Sequence, residues 1–404
     1  MYQQVIWDLV SGSFDSGDAL EKFREQIEEM TGVKHAVCVP MARVGIYLAL
    51  KYYIKPGQRV ILSPYTIVDV INMVICAGGR PVFADVDKET CNISVGEVAR
   101  LLSDECGAVL VTHLHGLACD ITAIRELCHR RGVALIEDAA QSFGTKVDGT
   151  FVGAFGNAGI YSFGAYKNMN SFVGGMVLTP DTQFFEWLRE TLSQYPKLSR
   201  MEMLKRVLNG AVMDVVTWRP AFCMFTFWLF RAGFLHGIDF INKLTVVDYK
   251  PVLRKTLPDH YRRLMIQTQG RLLMQQLPNY QKDAEKRFAL ARVYLEGLSG
   301  LKEVTLPPVR LDGSHSYTYF PIQTRNRLQL MRYCLANGAD FVYGHYRNSA
   351  ELAIFSEFQG DCPNASDVSQ SVIFLPVYPT YPLQQAERNV ALIREFFEVH
   401  SENN

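Results

Sequence analysis

Several common signals are missing from this sequence, and each absence removes a class of function. Neither charge is in excess: lysine plus arginine and aspartate plus glutamate both total 41 in 404 residues. A balanced chain presents no basic field to a polyanion, so nucleic acid is not an expected partner. The nine cysteines form no CxxC pair and no regular spacing. That argues against a disulfide framework and suits free thiols in a reducing compartment. The opening MYQQVIWDLVSGSF lacks a basic n-region and a long apolar core, so no secretory signal is expected and the expected setting is the cytoplasm. No stretch reaches the ~20 apolar residues of a spanning helix. Internal repeats and low-complexity tracts are absent too.

What remains is a globular composition, 48% apolar and 20% charged, enough for a large core. Up to about residue 180, apolar runs bounded by Gly, Pro or Asp alternate with helical patterns: HAVCVP, QRVILSP, RPVFADV, GAVLVTHLHG and GVALIEDAA are separated by segments such as VGIYLALKYY and ITAIRELCHRRG. This alternation predicts an α/β fold with a mostly parallel sheet covered on both faces. Ligands of such sheets sit at the carboxyl ends of strands, here occupied by Ser63-Pro64, Asp85, His113 and Asp138. Residues 256–404 read as a smaller α+β domain: a charged amphipathic helix, the strands SYTYFPIQT and SVIFLPVYP, and a final helix. Residues 1–203 then form the large domain, and 204–255 an apolar connection.

Two residues suggest chemistry. Lys167 stands among small and polar residues in YSFGAYKNMN, just after the strand AGIYSF. A desolvated lysine loses proton affinity and becomes a nucleophile toward carbonyls. Asp138 follows the strand VALIE, either as a helix N-cap or as a carboxylate awaiting a cationic partner. Pyridoxal phosphate (PLP) chemistry needs such a pair, a Schiff-base lysine and an acid at the pyridine nitrogen. By spacing alone the pairing is weak.

The segments EDAAQSFG, GNAGIYSFGAYKN and GGMVLT, in this order, resemble the DegT/DnrJ/StrS family of PLP-dependent sugar aminotransferases. VKHAVCVPMARVGIYLALK, PGQRVILSPYTIVDVINMV and VTHLHGLACDI extend the likeness on one side; HYRRLMIQTQG, HYRNS and IFLPVYP extend it on the other. The resemblance implies PLP fold type I (aspartate aminotransferase-like) and a homodimer. It implies transfer of an amino group from an amino-acid donor, glutamate, to a keto-sugar. Residue by residue, Lys167 matches the lysine that carries the cofactor, Asp138 the pyridine-nitrogen partner, Gln141 the polar residue beside the ring's phenolic oxygen, and Ser162 a phosphate-binding hydroxyl. Relatives that dehydrate sugars carry histidine at the lysine position, which disfavours that reaction here. For His113 and His115 in VTHLHG a pocket-lining role is expected rather than a metal site.

Three departures stand out. Where the family has Gly-Thr or Ala-Thr at a helix start, this chain has Ala42-Arg43. Either the guanidinium grips the phosphate there or Arg43 pairs with a carboxylate elsewhere. Ile67 replaces an aromatic that stacks on the cofactor ring, with Tyr65 as the alternative. Arg262 and Arg263 occupy the region near Tyr261 where an asparagine reaches the partner subunit's phosphate. Finally, 204–248 is dense in Phe, Trp, Leu and Val, broken by Pro220 and Gly233. It reads as buried dimer interface, or as a peripheral membrane contact through 206–245 on the inner face of the membrane. The second option admits a lipid-linked sugar, or a long-chain lipid carbonyl, as acceptor. A non-catalytic PLP-fold scaffold at the membrane is the remaining alternative.

Overall fold

The computed structural model describes residues 1–236, 238, 251–344, 346–358 and 360–401. The main sheet has seven strands: β1 (His35–Val39), β2 (Arg59–Leu62), β3 (Arg80–Phe83), β4 (Cys106–Thr112), β5 (Ala134–Asp138), β6 (Ala158–Ser162) and β7 (Gly175–Thr179). Their order is β1-β7-β6-β5-β4-β2-β3. Strands β6, β5, β4, β2 and β3 are parallel neighbours, and β7 runs against both β6 and β1. Nearly every residue of β4, β5 and β7 is buried, as expected for a sheet covered on both faces.

A second sheet joins β8 (Phe320–Gln323), β9 (Val342–Tyr343) and β10 (Val372–Leu375) in the antiparallel order β8-β10-β9. The helices Tyr280–Leu298 and Leu383–Ser401 pack on it around Tyr294, Phe320, Ile373 and Ile393. A short bridge ties the two halves together, pairing Tyr65–Thr66 with Arg347–Asn348.

Period-2 alternation decides what each strand end presents. At the end of β5, Glu137 and Asp138 point to opposite sides. Glu137, fully buried, accepts the amides of Gly153 (2.8 Å), Phe155 (2.7 Å) and Gly156 (2.7 Å). This latch holds the 153–156 turn flat against β6. Asp85 is likewise occupied, accepting the amides of Asn364 (2.9 Å) and Ala365 (2.8 Å) at the start of the Pro363–Ser371 helix; it caps that helix and stays out of the ligand side.

The apolar segment forms the helix Arg200–Thr217, opened by a Ser199–Glu202 capping box, then a turn at Arg219–Ala221, a π-helical turn at Phe222–Thr226 and a helix at Phe227–Leu235. The chain breaks at Trp218 (ψ 125°), just before Arg219-Pro220, as proline requires. Gly233 does not break it. That residue sits buried inside Phe227–Leu235, where packing outweighs the ~1 kcal/mol helix cost of glycine. Leu208, Val212, Val215, Trp218, Phe225 and Trp228 are all exposed. Residues 239–250 of the same expected element lie outside the described residues.

Gly159 has no room for a side chain: an added Cβ would stand 1.9 Å from the Gly153 carbonyl oxygen. Because Glu137 pins that turn, Gly159→Ala is expected to cost about 3 kcal/mol or more. A loss of soluble protein, or a thermal midpoint lowered by several degrees, would register it; an unchanged midpoint would refute the latch.

Candidate active site

The carboxyl ends of β4, β5 and β6 converge below the start of the Ala42–Tyr53 helix. Asp138 is buried, and its Oδ1 accepts the Ala140 amide at 3.1 Å. This is the cap-like contact that the sequence allowed. Thr112, in register with Asp138 across β4, lies beside the carboxylate. Burial raises the Asp138 pKa, against the Ala140 amide and the positive charge of Lys167. A carboxylate held in such a place calls for one more cationic hydrogen-bond donor.

Lys167 ends a turn whose amide returns to the Gly164 carbonyl (3.1 Å). Burial lowers its amine pKa; Asp138 opposes this and the Arg43 charge reinforces it. The turn is held from beneath by a chain of bonds: Asn168 Nδ2 donates to Thr318 Oγ1 (2.8 Å), and Thr318 donates to the Gln141 carbonyl (2.6 Å). Gln141 is fixed at both ends. Its Oε1 accepts the His115 amide (3.0 Å) and its Nε2 donates to the Tyr346 hydroxyl (2.7 Å). Thr318 and Tyr346 come from the second half of the chain. Neither was assigned a role from sequence, although Tyr346 lies in the landmark HYRNS.

Ser162, half-buried, ends β6 opposite Gly175 of β7. At Gly175 an added Cβ would fall 2.6 Å from the Ala42 amide nitrogen, so the helix start approaches the sheet closely only because that position is glycine. Met41 caps the helix without a side-chain hydrogen bond, leaving first-turn amides and the positive dipole end for an anion. Arg43, in this first turn, pairs with Asp69 and donates to the Tyr261 hydroxyl (3.1 Å). Its carboxylate partner is therefore Asp69, which sequence reasoning had not singled out.

The remaining predicted residues are distributed as follows. Ile67 precedes the Val68–Cys76 helix, half-buried against the main core. Tyr65 is fully packed, its ring 5.4 Å from that of Tyr346. His113 turns away from the ligand side: the Cys119 amide points at its Nδ1 (3.2 Å), and its Nε2 donates to Glu137 (3.1 Å). His115, with φ 63°, lies among the rings of Tyr65, Tyr346 and Phe374 beside Gln141. Arg262 pairs with Asp259 (3.4 Å) and Arg263 with Glu202 (2.9 Å), both within the chain.

An uncapped helix start, a strand-end serine, a buried acid and a desolvated lysine fit the phosphate, ring nitrogen and aldehyde of PLP. The fold is that of a PLP-dependent aminotransferase of fold type I. The model of the DegT/DnrJ/EryC1/StrS aminotransferase family matches residues 1–202 and 257–394, and the chain belongs to that family. The match leaves 203–256, the apolar segment, uncovered. Over 164 residues the chain is 37% identical to the GDP-perosamine synthase of Vibrio cholerae, covering 40% of this chain and 45% of that protein. It is 25% identical to the spore coat polysaccharide biosynthesis protein SpsC of Bacillus subtilis (strain 168), covering 97% and 93%. The structure of DesV from S. venezuelae, in complex with a ketimine intermediate, superposes with a TM-score of 0.75 at 25% identity, covering 98% and 93%. Among the described residues no helix is long and apolar enough to cross a membrane.

Asp138 is the anion that keeps the Lys167 amine from losing its proton still more readily. In Asp138→Asn, the pH profile for modification of Lys167 in the apo-protein by an amine reagent should move to lower pH, because the anion that favours the ammonium form is gone. An unmoved profile would separate the two groups.

Proposed function

We propose that this protein transfers an amino group from glutamate to a keto-sugar carried on a nucleotide or a polyprenyl lipid, in the biosynthesis of a glycan or a secondary metabolite, and that it works as a homodimer. The observation that carries the reading is the desolvated Lys167 amine beside the buried Asp138 carboxylate, in a family of aminotransferases. PLP supplies an electron sink that stabilises negative charge on the donor Cα. Ser162 and the amides of Ala42 and Arg43 would hold the phosphate, with the Arg43 guanidinium assisting. Asp138 would keep the ring nitrogen protonated, and Gln141 and Ile67 would help to hold the ring. Lys167, with lowered proton affinity, would take the proton from the donor Cα and hold it for return, as general base and then acid. Run in reverse on the keto substrate, the same steps deliver the amine and give ping-pong kinetics.

Lys167→Ala, reconstituted with PLP, should lack the visible absorbance band that responds to glutamate and should lose at least about a thousandfold in transamination. A variant that keeps both would overturn the reading and return the protein to the class of scaffolds. Mass spectrometry of cell-extract material trapped on the protein by borohydride would then identify the acceptor.

A lipid-borne acceptor is favoured by one observation: the exposed apolar helices carry Trp218 and Trp228 near Arg219 and Arg231, a composition suited to an anionic lipid interface. The helix Tyr2–Val10 packs beside them through Tyr2 and Asp214 (2.6 Å) and exposes Ile6, Trp7 and Val10. Flotation with anionic liposomes should be lost in the triple variant Trp218→Ser, Phe225→Ser, Trp228→Ser. If the variant instead turns a dimer into monomers, the surface belongs to a second copy of the chain.

A further inference from the structure

The Arg43–Asp69 pair lies beside the site, and transamination as such assigns Asp69 nothing. Asp69 stands in the first turn of the Val68–Cys76 helix, as Arg43 does in the Ala42–Tyr53 helix. Two helix starts, each with partial positive charge, are thus joined by a salt bridge. The carboxylate is only 16% exposed. Its Oδ2 takes Arg43 Nη1 and the Tyr261 hydroxyl (2.9 Å); its Oδ1 takes Asn72 Nδ2 (3.4 Å) and Arg254 Nε (3.4 Å). Burial works against the charge, yet Arg43, Tyr261, Asn72 and Arg254 together hold the pKa below the usual carboxylate value. It is ionised at neutral pH.

Charge counting gives the cluster a direction. Two guanidinium groups against one carboxylate leave a surplus of one positive charge. The Arg43 guanidinium also sits 5.2 Å from the Tyr261 ring centre, which fixes its plane. Asp69 and Tyr261 share a single nitrogen of Arg43, Nη1. A guanidinium has five N–H donors in a rigid fork; with one arm held, the other is fixed in place without further loss of rotamer freedom. Tyr261 stays a phenol, because burial raises its pKa. On its far side, Asp69 meets the limb that returns from the apolar segment: Asn72 binds the Val252 carbonyl (2.9 Å) and the Arg254 amide (2.9 Å).

We infer that Asp69 is a positioning residue, holding Arg43 so that its free arm grips the phosphate of PLP in place of the threonine the family carries. This rests on the reading of Arg43 as a phosphate ligand, and the two are separable. PLP affinity is measured on apo-protein by recovery of visible absorbance, with pyridoxal, which has no phosphate, as control. Arg43→Met and Asp69→Asn should each raise the Kd for PLP about tenfold, the loss of one charge-assisted hydrogen bond, and leave that for pyridoxal unchanged. The double variant should be no worse than either single one. Arg43→Thr combined with Asp69→Asn, which returns the family's residue, should recover most of the affinity. If Arg43→Met weakens PLP but Asp69→Asn does not, the positioning role is overturned while the phosphate reading stands. If Arg43→Met leaves PLP binding unchanged, both fall. If Asp69→Asn weakens PLP and pyridoxal equally, or lowers the thermal midpoint enough to account for the loss, Asp69 serves the fold and the inference fails.

Discussion

Placing an acid and an amine out of water at one edge of a sheet is expensive, and much of the architecture follows from it. Burial drives Asp138 and Lys167 toward their neutral forms, while their mutual attraction works the other way. Such a balance is useful only if water stays out and the groups stay still. Strand alternation puts Asp138 on the ligand side and sends Glu137 behind the sheet to pin the next turn. The Asn168–Thr318–Gln141 chain then fixes the lysine turn from a part of the sequence some 150 residues away. The site is rigid because its supports come from both halves of the molecule.

The phosphate end obeys a different economy. There the charges are partly exposed, and in the proposed reading helix dipoles, amides and a surplus guanidinium would act together on an anion. Glycine at 175 sets the distance between helix and sheet, and Met41 leaves the helix start uncapped. Exchanging a hydroxyl for a guanidinium at such a point brings more charge but more freedom, and a neighbouring carboxylate removes the freedom.

The sheet was legible because its strands are apolar runs with abrupt polar ends, and the proposed catalytic pair stood out because lysine and aspartate are conspicuous there. Ser162, Gln141 and the cofactor needed the family pattern as well. Asp69 was not legible: its partner lies 26 residues earlier, and nothing local marks a helix-start aspartate as half of an ion pair. Thr318 and Tyr346 reach the site only through tertiary packing, which periodicity does not encode. Gly233 misled for the opposite reason, since a buried glycine in a packed helix escapes its intrinsic propensity. His113 was placed near the ligand by chain position, yet its Glu137 partner holds it behind the sheet.

Strand β1 has one neighbour, β7, and pairs His35–Val39 with Gly175–Thr179. A ribosome making on the order of ten residues per second therefore leaves this apolar strand without its partner for roughly ten seconds after it has emerged. The Ala42–Tyr53 helix, whose start forms the phosphate end, must dock on β6 and β7, so it waits as well. The proposed phosphate end is consequently a late product of synthesis, shaped only once the strand that completes the sheet has emerged, and a nascent chain arrested before residue 175 would contain Lys167 and Asp138 but neither that end nor the supports from Thr318 and Tyr346.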